Sequence, residues 1–361
     1  MESEVQADLK QMALLKAPDP NSMPSLFYQN YWELVGCDVT KTILCYLNSA
    51  IIPHPLNHTF LTLIPKIKNP VSISNYRPIG LCNVLYKIFS KVLANRLKNI
   101  LPIIISEHQS AFTKNRVISD NILVAFKTLH SMNTHKSTKL GYMAAKLDMS
   151  KAYDRVEWIF LEKVMRKLGY NERWINPIMI CVNTVSYSVL VNGEPKGLIR
   201  PTRGIRQGNP LSPFLFLLCM EGLHSLISKA EREGAIHGSG LSRRSPKLTH
   251  LLFADDSFYK SNRSECQKVL QILAHYERLS SRQINCGKTA IFFSKSTNDA
   301  IKLEIKEALG VPEIMHYDRY LGLPSLVGRH KKARFEYIKE RFGENCKGRK
   351  KSCCLKQVEK S

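Results

Sequence analysis

Leu251-Leu252-Phe253-Ala254-Asp255-Asp256-Ser257-Phe258-Tyr259 is the stretch that decides the fold. Apolar and aromatic residues flank two adjacent carboxylates, a pattern that predicts a strand, a tight turn and a second short strand. A hairpin tip carrying two aspartates stores little hydrophobic energy. It suits a hard divalent cation, because magnesium takes oxygen ligands and keeps several waters. Asp also favours solvated turns for its local hydrogen bonds, so the pair alone leaves both readings open.

A third acid stands about a hundred residues earlier. In Tyr142-Met143-Ala144-Ala145-Lys146-Leu147-Asp148-Met149-Ser150-Lys151-Ala152-Tyr153-Asp154, an apolar strand is expected to end at Asp148. A turn then leads into a helix carrying Trp158, Leu161, Val164 and Leu168. A carboxylate at the end of a buried strand sits where α/β folds commonly place function. The plain alternative is that Asp148 or Ser150 caps that helix.

Between these acids and the N-terminus the periodicity alternates. Thr59 to Lys66 and Tyr76 to Ile79 read as two strands of a hairpin with basic tips, Lys66 and Arg77. Both are candidate phosphate contacts or solvated charges. Apolar residues at helical spacing predict helices from Val5 to Leu15, Phe27 to Leu47, Val84 to Leu101 and Ser119 to Met132. Further on, Ser186 to Val191 reads as a strand turning at Asn192-Gly193. Arg203-Gly204-Ile205-Arg206-Gln207-Gly208-Asn209-Pro210 forms a glycine-rich basic loop before a helix from Pro213 to Ile227. Such a loop can approach phosphates or bases closely, or simply start a helix. A helix from Glu265 to Leu279, a strand Ala290 to Phe293 and the loop Tyr320-Leu321-Gly322-Leu323-Pro324 complete the pattern.

The 361 residues can bury a substantial core, and the hydrophobic share of 44% is that of a soluble globular chain. Charge is the anomaly: 53 Lys and Arg against 30 acids give a net +23. That surplus suits a polyanionic partner through phosphate contacts and counterion release. The ten cysteines include no C-x-x-C pair, which argues against a cysteine-held zinc site or a disulfide framework. No signal pattern opens the chain, and its longest apolar run, Phe214 to Met220, is too short to span a bilayer. These features point to an intracellular protein, nuclear or cytoplasmic, that is not secreted and has no membrane partner.

The order of motifs resembles the reverse transcriptase of plant LINE-type retrotransposons, those without long terminal repeats. The matching residues are Lys16-Ala17-Pro18, Leu63-Ile64-Pro65-Lys66, Tyr76-Arg77-Pro78-Ile79-Gly80-Leu81-Cys82-Asn83-Val84 and Gln109-Ser110-Ala111-Phe112. They continue with Leu147-Asp148-Met149-Ser150-Lys151-Ala152-Tyr153-Asp154, Arg206-Gln207-Gly208, Phe253-Ala254-Asp255-Asp256 and Tyr320-Leu321-Gly322-Leu323-Pro324. The resemblance implies an α+β right-hand polymerase with an antiparallel-sheet palm, interleaved fingers and a thumb that is mostly missing. It divides the chain into an N-terminal helical extension (1–50), fingers (51–140), a first part of the palm (141–175) and a fingers/palm insertion (176–205). The palm with its primer-grip loop then follows (206–328), before a truncated thumb start and an aberrant basic tail (329–361).

By the same resemblance, Asp148, Asp255 and Asp256 are the catalytic carboxylates, and they hold two Mg2+ ions (or Mn2+) with the Met149 carbonyl. Three acids from two strands can seat such ions roughly 3.5–4 Å apart, clamping attacking and leaving oxygens. Lys66, Arg77, Tyr153, Gln207 and Gly208 are the implied nucleotide-binding residues, with Tyr153 as the ring that excludes a ribose 2′-hydroxyl. Lys288 is the implied general acid toward pyrophosphate, and Tyr320, Leu321 and Gly322 form the primer grip. The implied partners are an RNA template, a DNA primer and dNTPs.

The chain departs from the family pattern in three places: Asp19-Pro20-Asn21 after Lys-Ala-Pro, Asn115 in place of a glycine, and Asn209 in place of an acid. Two other readings stand beside this one. Asp148 and Asp154 roughly match the aspartate spacing of viral RNA-dependent RNA polymerases, although Tyr153 and the Ala before Asp255 argue against that class. A truncated, catalytically inactive remnant would at most bind nucleic acid.

Overall fold

The computed structural model describes residues 2–13, 23–134, 143–240, 247–253, 256–261, 263–314, 319–320 and 323–324. The chain opens with helices α1 (Glu2–Lys10), α2 (Ser25–Asn30), α3 (Trp32–Ser49) and α4 (His54–Asn57). The helix expected from Phe27 to Leu47 is therefore two. Tyr31, at φ −107° and ψ 27°, leaves the helical region between them. Its ring packs 5.3 Å from that of Phe27, a contact that periodicity does not encode. Helix α1 starts earlier than expected, placing Glu2 and Glu4 in its first turn, where the dipole favours them.

Strands β1 (His58–Pro65) and β2 (Tyr76–Cys82) form the expected antiparallel hairpin. Helix α5 (Val84–Ile104) follows, its first turn capped by the Asn83 side chain accepting from Leu85 N–H at 2.9 Å. It buries Ile88, Phe89, Val92, Leu93 and Leu97, the stripe read from the sequence, and runs past Pro102. Helix α6 (Ile118–Thr134) comes next, then β3 (Met143–Leu147), β4 (Met149–Ser150), α7 (Trp158–Lys167) and α8 (Glu172–Asn183). Strands β5 (Ser186–Val191) and β6 (Glu194–Ile199) turn through Asn192 and Gly193 at φ 53° and 84°, the left-handed pair that a tight hairpin needs.

Helix α9 (Ser212–Arg232) leads to the short pair β7 (Ser239–Gly240) and β8 (Lys247–Leu248). After it come β9 (His250–Phe253), β10 (Asp256–Ser261), α10 (Arg263–Ser280), β11 (Gln283–Ile284), β12 (Ala290–Phe293), α11 (Asp299–Leu309), β13 (Arg319–Tyr320) and β14 (Leu323–Pro324).

Two four-stranded sheets organise these elements. One has the order β2-β1-β5-β6 and is mixed, because β1 and β5 run parallel. The other has the order β12-β3-β10-β9, with every neighbouring pair antiparallel. Helix α9 is the core of the molecule. Leu215, Phe216, Leu217, Leu218, Cys219 and Met220 are all buried in consecutive positions, so it is covered on every side. It packs against α5, α7 and α10. Gly222 permits the approach of α7, since a Cβ there would sit 3.0 Å from the Phe160 ring. No described helix is long and apolar enough to cross a membrane.

Candidate active site

The antiparallel sheet brings two of the three acidic positions together. In the β3–β10 ladder Ser257 lies opposite Leu147. Asp256 precedes Ser257 and Asp148 follows Leu147, so their backbones are neighbours at one end of the sheet. Phe253 pairs with Asp256 across the β9–β10 hairpin. Asp255 lies outside the described residues, and Asp256 is described through its backbone alone.

Asp148 is fixed from the far side by the turn after β11. Asn285 donates its main-chain N–H to the Asp148 carbonyl at 2.8 Å and its side-chain amide to Asp148 Oδ2 at 3.1 Å. The Asp148 N–H reaches Thr289 Oγ1 at 3.5 Å. Lys288 sits in the same turn, its N–H bonded to the Asn285 carbonyl at 3.0 Å, with its side chain exposed. The structure therefore places Lys288 between two residues that touch Asp148.

The same bonds decide where Met149 points. Ladder residues alternate between hydrogen-bonded and non-hydrogen-bonded pairs. Asp148 and Asn285 exchange a bond, so the next pair, Met149 and Ile284, turns its polar groups outward. The Ile284 N–H goes to Glu277 Oε1 at 2.7 Å, in keeping with that alternation. The Met149 carbonyl thus faces away from β11. Helix α7 begins only at Trp158, with Glu157 at its N-cap, so neither Asp148 nor Ser150 caps it.

Tyr153 lies in the turn between β4 and α7. Its ring stacks on Phe216 of α9, with centroids 5.2 Å apart and planes 11° apart. Next to it the glycine-rich loop docks on this turn and on β2 of the mixed sheet. Ile205 N–H donates to the Tyr153 carbonyl at 2.9 Å, and Gln207 Nε2 to Asp154 Oδ1 at 3.3 Å. Gly80 N–H of β2 donates to the Gln207 carbonyl at 3.1 Å. Gly208 has φ +95°, and a Cβ there would lie 3.7 Å from Ile79 Cγ2. Strand alternation puts Ile79 on the same face of β2 as Arg77. Ile64 lies opposite Arg77, and Lys66 follows the end of β1 at Pro65. Both basic side chains are exposed, and Lys66 Nζ donates to the Ser74 carbonyl at 2.9 Å. Gln207 and Gly208 thus meet β2 at Gly80 and Ile79, close to Arg77 in the strand, and Lys66 lies nearer the tip of the same hairpin. Of the primer-grip residues, Tyr320 pairs with Leu323, and Leu321 and Gly322 lie outside the described residues.

Arg206 behaves otherwise than its basic loop suggests. It is buried, and its guanidinium donates to Asn57 Oδ1, to Thr59 Oγ1 at 3.0 Å and to the Cys181 carbonyl at 2.7 Å. Its Cζ lies 3.9 Å over the Tyr86 ring. This cation holds β1, α5 and α8 together and does not face solvent. Asn209, which stands where the family has an acid, is also buried. It donates to Tyr86 Oη at 2.8 Å and accepts Leu211 N–H at 3.0 Å. Burial pushes the Tyr86 phenol well above its usual range, so a neutral hydroxyl meets the Asn209 amide. Asn115 adopts φ 66°, the left-handed conformation that asparagine tolerates nearly as well as glycine.

Comparison with known proteins identifies the family. Residues 64–337 match the family model described as reverse transcriptase (RNA-dependent DNA polymerase). The chain is 27% identical over 296 residues to the transposon TX1 uncharacterized 149 kDa protein of Xenopus laevis, covering 80% of this chain and 21% of that one. It is 25% identical over 240 residues to the retrovirus-related Pol polyprotein from type-1 retrotransposable element R2 of Popillia japonica, covering 66% of this chain and 32% of that one. A shorter stretch of 68 residues is 52% identical to the uncharacterized mitochondrial protein AtMg01250 of Arabidopsis thaliana, covering 19% of this chain and 56% of that one. The chain thus spans about a fifth to a third of the two transposable-element proteins. It belongs to the reverse transcriptase (RNA-dependent DNA polymerase) family, with homologues among retrotransposons that lack long terminal repeats.

Proposed function

We propose that this chain copies an RNA template into DNA, adding deoxynucleotides from dNTPs to the 3′-hydroxyl of a DNA primer. Asp148, Asp255 and Asp256 are the catalytic carboxylates of this reading, and with the Met149 carbonyl they hold two Mg2+ ions, for which Mn2+ can substitute. The observation that carries it is the Leu147–Ser257 register, which sets Asp148 beside Asp256. The donor set fits the ions: every ligand is oxygen, as magnesium prefers, and the Met149 carbonyl is turned away from its own ladder. Bound at these residues, divalent cations supply charge neutralisation and a more acidic primer hydroxyl.

Placement supports the remaining roles that the resemblance implies. Asn285 orients Asp148. Lys66 and Arg77, both exposed near the tip of the β1–β2 hairpin, offer a point charge and a planar fork to a triphosphate. Gln207 and Gly208 line the same hairpin for template and incoming nucleotide. Tyr153, braced on Phe216, presents a ring that excludes a 2′-hydroxyl. Lys288, in the turn that holds Asp148, serves as proton donor to pyrophosphate. In this reading the antiparallel sheet is the palm, the mixed sheet belongs to the fingers, and Tyr320 to Gly322 are the primer grip. The Arabidopsis match supports a plant LINE-type lineage. The net charge of +23 suits the polyanionic template and primer.

Primer extension on an RNA template, with wild type beside Asp148→Ala, tests this reading. Extension by the wild type that falls to background in the variant is the expected result. Equal extension by both would remove the carboxylate mechanism, and none by either would favour an inactive remnant that at most binds nucleic acid.

A further inference from the structure

Three histidines from separate parts of the chain meet beside strand β9. His108 follows α5, His224 lies on α9 and His250 opens β9. One ring nitrogen of each lies within 4.8 Å of those of the other two. The inner nitrogens of one pair already face each other: His224 Nδ1 is 2.9 Å from His250 Nε2. Their outer nitrogens have oxygen partners, Ser228 Oγ at 3.0 Å from His224 Nε2 and Thr249 Oγ1 at 2.8 Å from His250 Nδ1. Metal-binding imidazoles share this division, with one nitrogen turned inward and the other hydrogen-bonded to an oxygen that fixes tautomer and ring angle.

We propose that His108, His224 and His250 form a zinc site, separate from the catalytic carboxylates. Imidazole nitrogen suits zinc and not magnesium, so the two sites select different ions. Around a tetrahedral zinc with bonds of about 2.0–2.1 Å, ligand nitrogens sit roughly 3.3–3.4 Å apart. The His224–His250 pair therefore needs to open by only a few tenths of an ångström. His108 must move more. Its ring stacks on that of His250 with centroids 4.5 Å apart and planes 8° apart, and parallel rings cannot both aim lone pairs at one point. It sits half-buried on a loop, where a tilt is the cheapest adjustment, and its carbonyl stays tied to Leu252 N–H at 2.8 Å.

His250 is buried, and His108 and His224 are partly buried, so the inner nitrogens are shielded from competing water. Glu221 lies on the outer side, its Oε1 3.9 Å from His224 Nε2 and its Oε2 accepting Ser106 N–H at 3.1 Å. An ion here would tie α9, the loop carrying His108, and the strand that runs into Phe253 and its partner Asp256.

The test uses the whole chain, stripped of metal by a chelator and titrated with Zn2+. One equivalent should bind and raise the melting temperature, and excess Mg2+ should not displace it. His108→Gln and His224→Gln should lose both effects while the stripped variants melt near the stripped wild type. Ser228→Ala should weaken zinc affinity about 10- to 100-fold. Wild type that takes up no zinc, or variants that retain the full equivalent, would overturn the site. Should the variants fail to fold, Co2+ bound to the wild type decides. A spectrum without thiolate-to-cobalt charge transfer supports the three histidines, and one with it assigns the ion to cysteines.

Discussion

Asn285 grips Asp148 at two points, main chain to main chain at 2.8 Å and side-chain amide to Oδ2 at 3.1 Å, across 137 residues of sequence. The second bond sets the angle of the carboxylate. Asn285→Ala keeps the backbone bond and removes the amide, so Asp148 is free to rotate. A small misplacement of a reacting group can cost about 100-fold in rate. We expect the variant to extend a primer about 10- to 100-fold more slowly, with KM for dNTP near that of the wild type. Steady-state kinetics on an RNA template check this; an unchanged kcat would show that the amide is only structural.

Tyr153 is braced by Phe216, which also carries the Arg282 guanidinium, its Cζ 4.3 Å from the ring centroid. In the proposed reading, a ring fixed in this way does not swing aside for a larger sugar. Tyr153→Ala should therefore raise the use of rNTPs relative to dNTPs by at least about 10-fold, the direction expected when a bulky excluder is removed. Single-nucleotide incorporation with dNTP and matching rNTP measures the ratio. An unchanged ratio would make Tyr153 a packing residue.

Arg77 and Arg206 are both basic residues in motif stretches, yet only Arg77 is exposed. Arg77→Ala should weaken nucleic-acid binding and lower the slope of log K against log salt by about 1. Arg206→Lys should leave that slope unchanged, because the side chain is enclosed. It should instead destabilise the fold by about 2 kcal/mol or more, since an ammonium cannot reach all three acceptors or stack on Tyr86. Salt titrations of RNA binding, together with urea unfolding, separate the two residues.

The features legible in the sequence were local ones. The β9–β10 hairpin, the Asn192-Gly193 turn and the buried stripe of α5 each follow from patterns a few residues long. Among long-range features, only the meeting of Asp148 with Asp256 was legible, and only through the family resemblance. The parallel pairing of β1 with β5, the hold of Asn285 on Asp148 and the meeting of three histidines depend on which elements the core brings together. Arg206 was hidden for a different reason: its charge suggests solvent, and only the cluster of Asn57, Thr59 and the Cys181 carbonyl makes its burial affordable. The break at Tyr31 falls in a run whose hydrophobic period continues across it.

Gly204 has φ +96°, and a Cβ there would sit 2.9 Å from the main-chain oxygen of Asp154. Its own carbonyl accepts Trp158 Nε1–H at 2.8 Å. Gly204→Ala meets both a backbone clash and an unfavourable φ, at a cost of about 1–3 kcal/mol. A lower urea midpoint should be accompanied by a shift in Trp158 emission as the indole loses its acceptor. A variant as stable as the wild type would mean that the turn relaxes freely.

Asp8 of α1 is buried against α5, where Asn95 Nδ2 donates to Oδ1 at 2.5 Å and Oδ2 has no hydrogen-bond partner among the described residues. Burial is the largest influence on it and raises its pKa, with Glu4 adding repulsion against the pull of Asn95, Lys91 and Arg96. The sign follows from linkage. A carboxyl with a folded pKa above its unfolded value costs stability while ionised, and that cost fades as pH falls through the folded pKa. Asp8→Asn removes the buried charge and keeps the acceptor for Asn95. The variant should melt above the wild type at pH 7, by roughly a degree or more, with the gain shrinking toward pH 4. Melting curves across that range check it, and a variant that melts lower at pH 7 would show that attraction to Lys91 and Arg96 outweighs desolvation.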